Sequence, residues 1–398
     1  MSEPGRGDHT RAVHGPDPER AGAMSTPLVR SATFSFESLA ELMREQERGA
    51  AGAYYQRLGH PTLRAVERRL AFLDGADEAL LFPSGMAAIS AVMLSRLAAG
   101  DHVVAVRQSY GGTSAVLRWG EERLGWSVTL VDGADPDSWP AAFRPETRLF
   151  HAESPTNPTL CVVDLARAAQ AAHAHGAVLV VDNTFASPVG QHPIALGADL
   201  VAYSATKSVG GHSDLLAGVV AGPAALVRAV ARVRTVFGAA PDPETAWLIE
   251  RSLKTLPLRV ERQHANALAL AHRLAAHGGV ARVHYPGLET HPGHALAKRQ
   301  MTRGFGPVLS FELAGGDAAL EPFLGALTLF RHGPSLGGVE SLVALPAHTS
   351  HIHLTPSQRR AHGLPDGLIR LSVGIEDEAD LWGDLERAID RAQVAVGG

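Results

Sequence analysis

Short apolar runs alternate with longer amphipathic ones between about residues 62 and 220. The runs HVVAV (102–106), SVTLV (127–131), TRLFHA (147–152), AVLVVD (177–182) and ADLVAYS (198–204) are rich in Val, Leu and Ala and too short for packed helices, so they predict strands. Between several of them lie MAAISAVMLSRLA, TSAVLRWGEERLG and DLARAAQAAHAHG, which carry helical patterns. Apolar strands separated by helices predict a largely parallel sheet covered on both sides, with ligands at the carboxyl ends of its strands. After GVVAGP the texture changes to a long helical region over about 223–276. Strand-like VLSFEL and LIRLSVG follow, then a C-terminal helical run, DEADLWGDLERAIDRAQ. The pattern predicts an α/β chain in three parts: an irregular N-terminal arm (1–60) able to reach another subunit, a mostly parallel-sheet α/β domain (61–255) and a smaller C-terminal α+β domain (256–398).

Composition narrows the partners more than the fold. With 398 residues the chain is too long for one compact core. A 19% share of charged residues, a net charge of −5 and interspersed signs leave no basic face for nucleic acid and no polybasic membrane anchor, so a small molecule is the expected partner. No apolar run approaches the roughly 20 residues that span a bilayer, and the polar, Pro/Gly-rich start lacks the apolar core of a secretory signal. Cys161 is the sole cysteine, which forbids an internal disulfide and makes a reducing cytoplasm the natural compartment. It reads as a small buried hydrophobe rather than a thiol nucleophile.

The 36 basic side chains include just three lysines, Lys207, Lys254 and Lys298. Guanidinium supplies salt bridges and carboxylate clamps but stays protonated, so it cannot attack a carbonyl. Lys207, in YSATKSVGGHSD (203–214), is therefore a candidate imine former, although this segment alone fits a surface lysine as well. Asp182 ends the run VLVVD and thus stands at the carboxyl edge of a strand; Lys207 follows the next strand-like run and can reach the same edge. A carboxylate facing an imine-forming lysine suits pyridoxal phosphate, whose ring nitrogen the carboxylate keeps protonated. The phosphate would need donors. FPSGMAAI offers Ser84, Gly85 and Met86 where a turn enters a helix, and Ser204 and Thr206 add hydroxyls near the lysine. Taken alone, Ser-Gly before a helix reads as a simple cap.

The motifs YYQRLGHPT, SGMAAI, SYGGT, ESPTNPTL, VVDNTFASP, ALGADLVAYSATKSVGGHSD, SLKTLPLR, HYPGLETHPGH, SLGGVESL and LIRLSVGIED run in order between residues 54 and 377, within a match over about 10–391. With them the chain resembles the pyridoxal-phosphate enzymes of cysteine and methionine metabolism, a family that includes cystathionine γ-synthases, cystathionine γ- and β-lyases, methionine γ-lyases and homoserine sulfhydrylases. The resemblance implies the aspartate-aminotransferase-like fold (fold type I of pyridoxal-phosphate transferases), a homotetramer built from dimers with shared sites, and carbon–sulfur lysis or γ-replacement on sulfur-containing or O-acylated amino acids. Carried over by motif, it makes Lys207 the cofactor-bearing amine and general base, Asp182 the partner of the ring nitrogen and Tyr110 the ring-stacking acid–base residue. Ser84, Gly85, Met86, Ser204 and Thr206 would hold the phosphate, with Tyr55 and Arg57 reaching in from a neighbouring subunit. Arg370 would clamp the substrate carboxylate through a bidentate pair, with Ser335 beside it.

Several positions depart from the family. Cystathionine γ-lyases usually carry Glu before the motif tyrosine and before SLGG, where this chain has Tyr54 and Pro334; a distal ammonium would lack its partners. Methionine γ-lyases usually have Cys where this chain has Gly112. Tyr54 and Pro334 imply a more aromatic, apolar distal pocket suited to a thioether, an acyl ester or an unusual acceptor. His60 replaces the usual Asn and reads as a turn residue, with a substrate-contacting histidine as the alternative. No metal is expected: His348, His351 and His353 lack companion carboxylates or cysteines and read as structural or surface residues. Lys254 reads as a helix residue in a structural contact, and Trp119, Trp126 and Trp247 as core or interface aromatics. A catalytically idle cofactor-binding relative and a true aminotransferase are the rival functions.

Overall fold

The computed structural model describes residues 7–16, 22–48, 52–349, 352, 355, 357, 359, 364, 365 and 367–397. Seven strands form the first sheet: β1 (Glu78–Phe82), β2 (His102–Val106), β3 (Ser127–Val131), β4 (Thr147–Glu153), β5 (Val178–Asp182), β6 (Leu200–Ser204) and β7 (Gly218–Gly222). Their spatial order is β1-β7-β6-β5-β4-β2-β3. The pairs β2–β3, β2–β4, β4–β5 and β5–β6 are parallel, while β7 runs antiparallel to both β1 and β6. All five predicted strands are present. EALLF, which becomes β1, and GVVAG, which becomes β7, join them as strands that the apolar runs did not mark.

Both faces of this sheet are buried because successive side chains along a strand point to opposite sides. Val103, Leu149, Val180, Leu200 and Val220 pack with the helices Gly85–Arg96 and Ala224–Phe237. Val104, Phe150, Leu179 and Val181 pack under the helix Leu165–Ala174. Val201 and Tyr203 meet Leu63, Val66 and Leu70 of the helix Pro61–Asp74 and Ile249 of the helix Pro243–Leu253. Tyr203 is fully buried, and its hydroxyl donates to Asp74 Oδ2 at 2.8 Å.

The long helical region is three helices, Ala224–Phe237, Pro243–Leu253 and Leu256–Ala276. Gly238, at φ 71°, closes the first in the left-handed conformation, and Asp242 caps the second by accepting from Thr245 N–H, with Pro243 at its first position. A second sheet combines β8 (Val280–His284), β9 (Val308–Leu313), β10 (Arg331–His332), β11 (Leu342–Ala344) and β12 (Leu368–Ser372) in the order β10-β11-β12-β9-β8. It packs on the helices Leu256–Ala276, Leu320–Ala326 and Glu378–Gly397 through a cluster holding Leu270, Phe311, Phe323, Ile369, Leu371 and Leu385.

The segment before residue 60 is less irregular than expected, with helices Asp8–Val13 and Leu39–Glu47. The second of these buries no residue within the chain. Trp126 is buried against the backbone of Gly120, where an added Cβ would lie 1.8 Å from the indole, and Trp247 Nε1 donates to the Thr26 carbonyl. Trp119 is 53% exposed, which removes it from this chain's core. Lys254 pairs with Glu250 at 3.9 Å, one helical turn away. No helix among the described residues is long and apolar enough to cross a membrane.

Candidate active site

The carboxyl ends of β4, β5 and β6 deliver Glu153, Asp182 and Ser204 to one rim of a cavity of about 590 Å³. The N-terminus of the helix Gly85–Arg96, the turn after β2 and the loop after β6 line the same cavity, and the second sheet adds Arg370 from β12 and Pro334–Ser335 from the loop between β10 and β11. Ser84, Gly85, Met86, Tyr110, Asp182, Ser204, Thr206, Lys207, Pro334, Ser335 and Arg370 are thus brought together around one cavity. Tyr54, Tyr55 and Arg57 do not line this chain's cavity. Tyr54 stacks on Phe36, Tyr55 is 43% exposed, and Arg57 donates to the Thr235 carbonyl at 2.9 Å.

Ser84 caps its helix by accepting from Ala87 N–H, which leaves its own hydroxyl proton to point elsewhere. The first intrahelical bond is Ala88 N–H to the Ser84 carbonyl, so the N–H groups of Gly85 and Met86 precede the ladder. An added Cβ on Gly85 would lie 2.8 Å from Ser204 Cβ, so only glycine lets this turn sit against β6. Thr206 Oγ1 donates to the Ala217 carbonyl at 3.2 Å and accepts from Ala217 N–H at 3.0 Å. Gly112 is equally constrained, since a Cβ there would lie 2.5 Å from the Tyr110 ring and 2.6 Å from Met86 Sδ.

Lys207 Nζ donates to Ser335 Oγ at 2.9 Å. Burial, and then the Arg370 charge, pull this amine down to a pKa of about 8. Ser335 holds a positive φ of 102°, unusual for a residue with a Cβ, and its carbonyl accepts from Arg370 Nη2 at 3.1 Å. Arg370 is buried and also donates through Nη1 to Asn157 Oδ1 at 2.9 Å; among the described residues its Nε has no acceptor. Burial lowers its pKa to about 10, still far above neutrality, so it is a fixed cation with a donor to spare.

Asp182 is buried, and its Oδ1 accepts from Thr184 N–H at 2.9 Å. Its register partner on the neighbouring strand is Glu153, whose two carboxylate oxygens accept from Tyr110 N–H at 2.6 Å and Asn157 N–H at 2.8 Å. Burial raises both carboxyl pKa values, and the Asp182 charge pushes Glu153 further in the same direction. The sequence reading gave no role to Glu153, Asn157 or Thr184. Glu153 bore the same mark as Asp182, a carboxylate directly after an apolar strand-like run.

Of the remaining candidates, His60 is buried at the N-cap of the helix Pro61–Asp74, against the Phe34 ring and outside the cavity lining, which agrees with a turn role. Burial pushes the Cys161 thiol up to about 12 and away from nucleophilic use. His348 ends a short helical turn; His351 and His353 lie outside the described residues.

A phosphate fits the donors of Ser84, Gly85, Met86 and Ser204, whereas both donors of Thr206, its hydroxyl and its N–H, go to the Ala217 carbonyl; a protonated ring nitrogen fits Asp182. A neutralisable amine stands at Lys207 and a carboxylate acceptor is missing at Arg370 Nε. Fold and site define a pyridoxal-phosphate enzyme of the aspartate-aminotransferase-like class. The chain belongs to the Cys/Met metabolism PLP-dependent enzymes, whose family pattern matches residues 9–390. It is 42% identical over 391 residues to the L-methionine gamma-lyase of Pseudomonas putida, covering 96% of each chain. It is 40% identical over 385 residues to a cystathionine beta-lyase of Lactococcus lactis subsp. cremoris, covering 96% of this chain and 98% of that one. The solved structure of cystathionine gamma synthase from Xanthomonas oryzae pv. oryzae, in complex with aminoacrylate and cysteine, superposes with a TM-score of 0.93 at 38% identity, over 98% of this chain and 100% of that one. The chain is accordingly an enzyme of the carbon–sulfur lyase and γ-replacing transferase class, with pyridoxal 5'-phosphate as its cofactor.

Proposed function

We propose that the enzyme cleaves or exchanges the γ-substituent of an amino acid whose distal end is an uncharged thioether or acyl ester. The observation that carries this reading is the line Lys207–Ser335–Arg370: an amine of lowered basicity is held 2.9 Å from a hydroxyl whose own carbonyl holds the carboxylate clamp.

Arg370 binds the substrate α-carboxylate through a guanidinium already oriented by Asn157 and Ser335, so little rotamer freedom is lost on binding. That contact fixes the direction of the α-hydrogen relative to Lys207. When bound, pyridoxal phosphate supplies an electron-withdrawing ring that acidifies the α-hydrogen. A pKa of about 8 lets Lys207 both accept and return a proton near neutrality, the property of a general acid–base group. The Ser335 hydroxyl holds Nζ on the side of the cavity that Arg370 defines. Tyr110, 42% exposed at the cavity rim, is placed to cover the ring face and to relay protons there. Ser84, Gly85, Met86 and Ser204 would hold the phosphate, with Thr206 joining them only if its hydroxyl turned from the Ala217 carbonyl, and Asp182 would hold the ring nitrogen.

Pro334 lines the cavity, and among the described residues the acidic groups that line it are Glu153, whose oxygens accept from Tyr110 and Asn157 N–H, and Asp182, assigned to the ring nitrogen, which leaves neither to pair a distal ammonium. Tyr54, Tyr55 and Arg57 act in the cavity of a second copy, within a homotetramer of dimers located in the cytoplasm. Support comes from the exposure of Tyr55 and Arg57, from the place of all three outside their own chain's cavity, and from the helix Leu39–Glu47, which buries nothing within the chain.

The test is a substrate panel of methionine, cystathionine and O-acylhomoserines, with and without added thiols, that reads 2-oxo acid against substituted amino acid. Methionine or an O-acylhomoserine should give the highest specificity constant. Cystathionine turning over far more efficiently than both would overturn the apolar distal pocket. Substituted amino acid forming at the expense of 2-oxo acid when thiols are added would assign γ-replacement instead of elimination.

A further inference from the structure

Glu153 is 3% exposed, and both of its carboxylate oxygens are committed, one to Tyr110 N–H and one to Asn157 N–H. Tyr110 opens the helix Gly111–Leu124 after β2. Asn157, four residues after Glu153, passes its side-chain oxygen to Arg370 Nη1 in the second sheet. Asp182 stands directly across the ladder. One buried carboxylate therefore touches the turn that carries the ring-face tyrosine, the residue that steers the guanidinium, and the strand end that carries the ring-nitrogen aspartate.

Carboxylates are rarely buried next to one another without a task, because each raises the free energy of ionising the other. Here that penalty falls on a group that makes no hydrogen bond to Asp182, and an amide would satisfy just one of the two backbone donors. A glutamine offers one acceptor oxygen, and its NH2 would face the second N–H. An acid at 153 is what lets both N–H groups converge on a single side chain.

We propose that Glu153 is a positioning residue that sets the Asn157–Arg370 clamp against the Tyr110 turn, so that the affinity for the substrate carboxylate depends on a side chain that does not touch substrate. This rests on the reading of Arg370 as the carboxylate clamp.

The test uses cofactor-loaded protein and 4-(methylthio)butanoate, a thioether carboxylate with no amine, so binding is read by titration calorimetry without turnover. Glu153→Gln should weaken binding about tenfold, the scale of one hydrogen bond to a charged group. Asn157→Ala should weaken it to a similar extent, and the double variant should bind no worse than the weaker single one, because both act through the same atom of Arg370. Additive losses, or an unchanged affinity in Glu153→Gln, would overturn the proposal. If Glu153→Gln fails to fold, Glu153→Asp enters the same cycle: it keeps the charge but is too short to reach both donors, and additivity would again refute the coupling. Arg370→Met separates the two readings. If it binds the carboxylate as well as the parent protein, the clamp itself is wrong; if it loses binding while the Glu153 variants do not, the coupling alone fails.

Discussion

Asp74 ends the helix Pro61–Asp74 beneath β6 and is 3% exposed. Its Oδ2 accepts the Tyr203 hydroxyl at 2.8 Å, while among the described residues its Oδ1 has no hydrogen-bond partner. Burial lifts its pKa from 3.8 to about 7, against the opposing pull of the Tyr203 hydroxyl and of Arg11. A carboxyl with a raised folded-state pKa favours folding fully below its unfolded value. That contribution is lost as pH climbs toward the folded value and is constant beyond it. From pH 5 to pH 7 the loss is about 2 kcal/mol, at about 1.36 kcal/mol per unit and with the folded-state carboxyl half-ionised by pH 7. Unfolding entropy scales with length at about 2.1 cal/mol/K per residue, so for this chain the loss corresponds to a melting temperature lower by roughly 2–3 °C. Asp74→Asn keeps an acceptor for Tyr203 and cannot ionise. The assay is thermal melting of the cofactor-loaded parent and variant across this pH range, in matched buffers; the difference between the two cancels every other titrating group. The variant should gain about 2–3 °C on the parent between pH 5 and pH 7. Parallel melting curves would refute the assignment of a buried, neutral Asp74.

Three further outcomes follow from the same contacts. Uptake of pyridoxal phosphate by cofactor-free protein, followed by absorbance, should rise with pH through about 8 as Lys207 loses its proton, and Arg370→Met should move that midpoint upward; a midpoint near that of free lysine in both proteins would exclude the burial argument. Gly120→Ala should destabilise the fold by about 1–3 kcal/mol in denaturant titrations, since its Cβ would lie 1.8 Å from Trp126, and Trp126→Leu should relieve part of that loss. Arg234→Ala strips the buried Glu67 of its ion pair and the Leu81 carbonyl of a donor, and should lower stability by about 3–5 kcal/mol with little change in KM.

The parallel part of the first sheet was legible because its strands are buried on both faces and read as unbroken Val/Leu/Ala runs. β1 and β7 were not. EALLF begins with a glutamate and carries no β-branched residue, and GVVAG is a short run bounded by glycines, so neither stood out although the helices Gly85–Arg96 and Ala224–Phe237 follow them. The break of the long helical region depended on caps at Gly238 and Asp242 within an otherwise continuous helical pattern. At the site, residues whose chemistry is their own side chain, such as Lys207 and Asp182, could be picked out by type and position, and Arg370 by its place in a family motif. Glu153 meets the backbone N–H groups of Tyr110 and Asn157 and a strand partner, and Asn157 meets Arg370 from the second sheet; those relations exist only once the strands are aligned. Tyr54, Tyr55 and Arg57 resist placement for another reason, since one chain's fold does not bring them to its own cavity.

Ser335 combines two demands that pull in opposite directions. Its backbone sits at φ 102°, where a Cβ is strained by roughly 1–3 kcal/mol and glycine would rest easily, yet its hydroxyl is the group that Lys207 reaches. Directed evolution for heat resistance alone would therefore drift toward Ser335→Gly and accumulate sturdy, sluggish variants, whereas screening on turnover would keep the serine. The position is a ready gauge of which pressure a library has felt.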